Sequence, residues 1–468
     1  MFDFEFDDND DSFDATRIHR LIASYEAHGD SAYFDSETLD EIASHYFENG
    51  RYDSALTVMD RLLDVQPFSS DLWLRRGIVL NSLGRHEDAL GCYNRALELN
   101  PSDIEGLLNK AISLDALERS DEALALYDQI LATQPLSEEA LFCRGVSLER
   151  SGHLHEAIVS FERCASVNKD HPEVWYELGY CYDRISEDNL SIQCYDSHID
   201  VDPFSHDAWY NRGIVLNRVG KYQDAIDSYE MALAINDQFG SAYYNLGNAY
   251  ANLGKLEKAI SQYKHVVEIE GGDAPTFYNI AIALEELGRF DEATAFYKNA
   301  IDKQPGYAEA WYGLGCCFEA LKRPDDAVSF FNKAVRLNPK VADFWYAKAD
   351  CEYTLGNLKQ ALQSYRMVVE LDEAHHDAWM DFAEALFEAS RLHEALDAYQ
   401  KAIDLNPDCA GLYVQKAKAW LALGNSDESL EMLRKAIDID PMSKIAVENA
   451  CPDLVWRQDV RQHLGLDI

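Results

Sequence analysis

Six tyrosines, Tyr176, Tyr210, Tyr244, Tyr278, Tyr312 and Tyr346, follow one another at a fixed interval of 34 residues. Asn211, Asn245 and Asn279 stand directly after three of them, and Asn248 lies three residues beyond Asn245. These residue types do the chemistry of recognition rather than of bond making. Tyrosine offers a large apolar face and a hydroxyl at low entropic cost, which is why interfaces overuse it. A carboxamide carries two donors and an acceptor, matching the N–H and C=O of an extended backbone. Carboxylates keep the same interval: Glu37, Asp71, Glu105, Glu139, Glu173, Asp207, Glu309, Asp343 and Asp377 share one position of it. A row of that kind attracts positive charge.

Bond-making chemistry has no comparable pattern. The fourteen histidines are scattered, and the sequence contains no P-loop, Gly-x-Gly-x-x-Gly or His-Glu-x-x-His and no Ser/His/Asp order. Ten cysteines occur without a Cys-x-x-Cys pair. Cys181, Cys317 and Cys351 share one position of the interval, and Cys92 and Cys194 another. They read as small packing residues, not as zinc ligands or a disulfide frame. The expectation is a non-enzymatic protein with no catalytic residue, metal or cofactor.

The interval also defines the elements that must position these side chains. It runs from Ser36 to Ser443 without an insertion or deletion, giving twelve units that begin at residues 36, 70, 104, 138, 172, 206, 240, 274, 308, 342, 376 and 410. Position 8 of each unit is Gly or Ala, and position 20 is Ala in ten units. A recurring demand for a tiny side chain marks a close helix crossing that a larger group would overpack. Position 4 is large and position 24 is aromatic in ten units, from Tyr93 to Tyr399. Apolar positions 4, 7, 8 and 11, and again 20, 24 and 27, have helical spacing. Gly at position 15, as in Gly84 and Gly220, marks a turn, and Pro at position 32, as in Pro67 and Pro203, stops a second helix. Each unit is therefore a helix–turn–helix that must stack on its neighbours to bury its apolar face.

The segment Trp175-Tyr-Glu-Leu178-Gly179-Tyr-Cys-Tyr182 carries the Trp-x-x-Leu-Gly-x-x-Tyr signature in full, and Tyr243 to Tyr250 and Trp311 to Phe318 come close to it. On these residues the chain resembles the tetratricopeptide repeat family over about nine-tenths of its length. The resemblance implies an all-α fold, a right-handed superhelical α-solenoid of tandem helix–turn–helix repeats. First helices would line a concave groove and second helices the convex face, with the groove gripping peptides or proteins. Positions 2, 5, 6, 9, 12 and 13 would face inward. That makes Tyr176, Tyr210, Tyr244, Tyr278, Tyr312, Tyr346, Asn211, Asn245, Asn279, Asn248, Glu173 and Asp207 the expected peptide-binding residues. A similar asparagine ladder lines the superhelix of O-linked N-acetylglucosamine transferase, and here that likeness is limited to repeats six to eight.

Four regions are expected: an acidic disordered tail over 1–13, an extra N-terminal helix over 14–35, twelve repeats over 36–443, and capping helices over 444–468. Residues 1–14 hold seven carboxylates, no base, and Phe2, Phe4, Phe6 and Phe13. No run of 18 apolar residues occurs, and the acidic start does not read as a secretion signal, so cytoplasmic residence is the default expectation.

The formal net charge of −42 repels a phosphate backbone, so neither nucleic acid nor an anionic membrane is an expected partner. A protein or peptide of basic or neutral character is. Among positions 2, 5, 9 and 12 of all units, Lys418 is the sole base. The family's carboxylate clamp for chaperone tails needs Lys at positions 2 and 5, and its nearest counterparts, Arg75 and Asn248, stand five repeats apart. The clamp is absent. The alternative function is an assembly scaffold or adaptor that works through convex and terminal surfaces.

Overall fold

The computed structural model describes residues 9–28 and 33–465, and among these there is no β-strand. Each of the twelve units folds as two consecutive helices, from Ser36–Glu48 and Tyr52–Val65 in the first to Ala410–Ala422 and Ser426–Ile439 in the last. The chain divides into two compact units, residues 1–235 and 236–468, each holding six helix pairs.

Local signals account for the helix ends. The Asp35 side chain accepts from the Thr38 N–H at 2.8 Å. Ser69, Ser137 and Ser205 cap the first helices of repeats two, four and six in the same way. These acceptors satisfy an N–H that the helix start leaves open. Position 15 adopts a positive φ in all twelve repeats. Glycine supplies it in eight, while Glu118, Ser186, Lys322 and Ser390 take it at φ 60, 63, 61 and 57°. A side chain in that region costs energy that glycine avoids.

The large residue at position 4 has a task beyond filling space. The Trp73 indole N–H donates to the Pro67 carbonyl at 3.0 Å, and Trp209 and Trp311 make the same bond to Pro203 and Pro305. Trp345 and Trp379 bond to Pro339 and Glu373 in like fashion. Each indole thus pins the loop that delivers its own helix.

The small position 8 meets a ring rather than another backbone. A Cβ added to Gly77 would lie 2.5 Å from Cε1 of Tyr93, and one added to Gly247 would lie 2.5 Å from Cε1 of Tyr263. The ring at position 24 of the same repeat therefore fills the space over the glycine. Ala259 at position 20 and Tyr263 at position 24 are both buried, at 0% and 2% exposure.

The first helix is Asn9–His28, beginning upstream of the expected residue 14. Its Ile22 is buried together with Leu39 and Ile42 of the first repeat. The acidic tail expected over 1–13 lies outside the described residues over 1–8, and 9–13 belong to this helix. After the last helix pair come a short turn, Pro441–Ser443, and the helices Lys444–Ala450, Pro452–Val455 and Gln458–His463. Val447, Cys451, Leu454 and Val460 join Val414, Ala417 and Leu433 in one buried cluster.

All ten cysteines are free thiols, and seven of them are buried. Burial pushes the thiols of Cys181, Cys194 and Cys351 up to about 12, because a thiolate is costly in an apolar setting.

Candidate functional site

The six recurrent tyrosines all sit on first helices and are all half-buried. Each packs on the aromatic ring at position 24 of its own repeat. The centroid distances are 5.9 Å for Tyr176–Tyr195, 6.0 Å for Tyr210–Tyr229, 5.8 Å for Tyr244–Tyr263, 5.9 Å for Tyr278–Tyr297, 5.7 Å for Tyr312–Phe331 and 6.2 Å for Tyr346–Tyr365. The supporting rings are buried, with Tyr195 and Phe331 at 0% exposure. A second neighbour flanks several: Tyr307 beside Tyr278, Phe344 beside Tyr312 and His375 beside Tyr346. The half-exposed rings are thus held on a rigid aromatic base, which lowers the entropic cost of using them as contacts.

The asparagines have a first task inside the protein. Asn211 Nδ2 donates to the Tyr176 hydroxyl at 3.0 Å, and Asn279 Nδ2 to the Tyr244 hydroxyl at 3.0 Å. Asn248 is bonded more heavily: its Oδ1 accepts from Tyr263 Oη at 2.7 Å and from Asn279 Nδ2 at 3.4 Å, and its Nδ2 faces Asn245 Oδ1 at 3.5 Å. The amides therefore tie Tyr176 and Tyr244 to the following repeat, and part of their capacity is already spent. The Tyr346 hydroxyl makes the equivalent link by donating to Asp381 Oδ2 at 2.6 Å.

Glu173 and Asp207 are exposed. Together with Tyr176, Tyr210 and Asn211 they belong to the first compact unit; Tyr244, Asn245, Asn248, Tyr278, Asn279, Tyr312 and Tyr346 belong to the second. Within the first unit Asn211 meets Tyr176, and within the second Tyr244, Asn279, Asn248 and Asn245 form one linked series.

Sequence reasoning passed over several carboxylates on this face. Burial, then the charges of Glu149 and Glu173, pushes the Glu177 carboxyl up to about 7. Burial likewise raises Asp350 to about 6, although the Tyr365 hydroxyl donates to it at 2.6 Å. Burial also raises Asp381 and Glu384. Glu177 and Asp350 occupy positions 6 and 9, so the inward-facing frame that selected the asparagines also contained their signal.

A second pattern escaped notice because its period is two units. Arg76, Arg144 and Arg212 at position 7 pair with Asp60, Asp128 and Asp196 of the preceding repeat at 2.7, 2.8 and 2.6 Å. Each also donates to position 23 of its own repeat, namely Cys92, Ser160 and Ser228. The recurring Arg-Gly pair with an Asp 16 residues upstream was the available signal.

Among the described residues no group of His, Cys, Asp or Glu is placed to hold a metal ion, and no helix is long and apolar enough to cross a membrane. Tandem helix pairs with a half-buried aromatic face define an α-helical repeat protein of the kind that binds other proteins. A tetratricopeptide repeat model matches residues 41–104, 108–165, 278–342, 331–376 and 380–443. Further models of that description match 206–239 and 238–303. The chain belongs to the tetratricopeptide repeat family. No curated protein sequence matches it. Among solved structures it is similar to YrrB, a TPR protein with an unusual peptide-binding site, at 23% identity over 40% of this chain and 97% of that one, with a TM-score of 0.37. A tetratricopeptide repeat protein from Parabacteroides merdae is 19% identical over 53% of this chain and 98% of its own, with a TM-score of 0.39. The C-terminal part of a TPR repeat-containing protein from Cytophaga hutchinsonii is 17% identical over 51% and 97%, with a TM-score of 0.45.

Proposed function

We propose that the first-helix face binds an extended or helical segment of a partner protein of basic or neutral character, and that the protein acts without catalysis. The observation that carries this reading is the set of six half-buried tyrosines, each backed by a buried ring. Tyr210, Tyr244 and Tyr278 supply contact area. Asn211 and Asn279 fix Tyr176 and Tyr244, and Asn211, Asn245 and Asn279 offer their remaining donor and acceptor capacity to a backbone. Glu173 and Asp207, both exposed, attract positive side chains and steer association.

The test is quantitative binding of a partner recovered by affinity capture. Replacing Tyr210, Tyr244 and Tyr278 by Ala should weaken binding by several kcal/mol if the rings are anchors. Replacing Glu173 and Asp207 by neutral residues should instead slow association and flatten its salt dependence. Wild-type affinity for both variants at low and high salt would move the binding elsewhere and favour the scaffold reading.

A further inference from the structure

The second-helix face carries a cleft between adjacent repeats, and the chain shows both a closed and an open form of it. Where position 7 is arginine, in repeats two, four and six, the guanidinium lies between position 25 of the preceding repeat and position 23 of its own. Between repeats ten and eleven those three positions are Arg366, Phe382 and Ala398, and all three line an open cleft of about 670 Å³. The equivalent cleft between repeats four and five, with Leu178 at position 7, is about 490 Å³. There the Tyr182 hydroxyl bonds Glu162 across the opening at 2.7 Å. The larger cleft has Leu386 in place of that tyrosine.

The open cleft combines an apolar floor with a one-sided rim. Trp379, Phe382 and Leu386 form the floor, and Phe382 and Leu386 are 7% and 1% exposed. Glu370, Glu373, Glu394, Asp397 and Asp404 stand on the rim against Arg366 and Lys401 alone, a formal excess of three negative charges. The pair across the mouth, Arg366 with Glu394, is loose at 3.9 Å, and both side chains are 50% exposed. Glu394 is held more closely by Arg391, at 2.5 Å. A concave apolar floor with a few charged groups at its edge is the usual form of a ligand site, and this volume falls within the usual range.

We propose that the cleft between repeats ten and eleven is a second docking site, separate from the tyrosine face. Its occupant is a partner segment that presents a bulky apolar side chain flanked by lysine or arginine. The apolar group covers Trp379 and Phe382, and the cations meet Glu370, Asp397 and Asp404. The arginine plugs show that a cationic side chain with an aliphatic stem fits this type of cleft, since the chain inserts one of its own in three other repeats.

The experiment uses the full chain and a fluorescein-labelled amphipathic helical peptide of leucine, lysine and alanine, followed by anisotropy at low salt. Two further peptides carry glutamate in place of every lysine, or serine in place of every leucine. Arg366→Asp combined with Phe382→Arg restores the arginine–aspartate pair of the plugs in repeats two, four and six, with Ala398 in place of their position 23 acceptor. Asp397→Lys combined with Asp404→Lys alters only exposed side chains and guards against a folding defect in the first variant. The leucine–lysine peptide should bind the wild type, with each altered peptide and each variant weaker by about tenfold or more. The proposal is overturned if both variants bind like the wild type, if the serine peptide binds as well as the leucine peptide, or if no saturable binding occurs up to about 1 mM peptide.

Discussion

The Asn279 amide donates to the Tyr244 hydroxyl at 3.0 Å across 35 residues of sequence, and Asn211 makes the same bond to Tyr176. One repeat thus holds the tyrosine of the repeat before it. Asn279→Ala should loosen that ring as well as lower stability. A double-mutant cycle with Tyr244→Phe, read by denaturant unfolding, should give a coupling of about 0.5–1.5 kcal/mol. Strict additivity would mean that the bond contributes nothing.

Ala259 is fully buried beside Tyr263, whose ring fills the space over Gly247. Ala259→Leu should therefore destabilise its repeat by about 1–3 kcal/mol through overpacking. Because a repeat array is coupled mainly between neighbours, the flanking blocks should melt apart in calorimetry. An unchanged melting curve would contradict the packing described for positions 8, 20 and 24.

Lys322 and Ser390 hold a left-handed backbone at φ 61 and 57° where eight other repeats use glycine. Lys322→Gly and Ser390→Gly should each stabilise the protein, by up to about 1 kcal/mol, since relief of the side-chain strain exceeds the added freedom of the unfolded chain. Thermal melts that fall rather than rise would show that the native contacts of Lys322 and Ser390 outweigh the strain.

The Glu177 carboxyl is pushed up to about 7 from an ordinary 4.5 by burial and by its acidic neighbours. The folded state therefore binds this proton more tightly than the unfolded state does. Its stabilising effect is fully present below about pH 4.5 and is lost as the pH rises through about 7. Glu177→Gln should flatten the decline in stability across that window, measured by urea unfolding at several pH values. The same shift makes binding of a cationic side chain nearby release a proton, so calorimetric binding heats near pH 6 should depend on the buffer's ionisation enthalpy. Equal heats in all buffers would place the partner's charge away from Glu177.

The repeat frame was legible because a helix–turn–helix that recurs without a slip marks itself at every small, aromatic and turn position. Ala259, Tyr263 and Gly84 illustrate this, since each type follows from backbone or packing demands local to one unit. The binding face was legible only as a set of residue types. That Asn248 serves Asn279, or that Asp381 replaces asparagine as the partner of Tyr346, depends on which side chains meet between repeats, and one unit read alone does not show it. The arginine plugs were hidden for a related reason. Arg76 and Asp60 lie in different repeats, and the pairing skips every second unit, so a frame of single units averages it away.

The buried cysteines give the molecule a built-in clock. Cys181 and Cys351 are only 0% and 1% exposed, and their thiols are held far from the reactive thiolate. An alkylating reagent reaches each one only while its own repeat is open. The order in which the thiols are labelled under native conditions, followed by mass spectrometry, then ranks the repeats by how often they come apart.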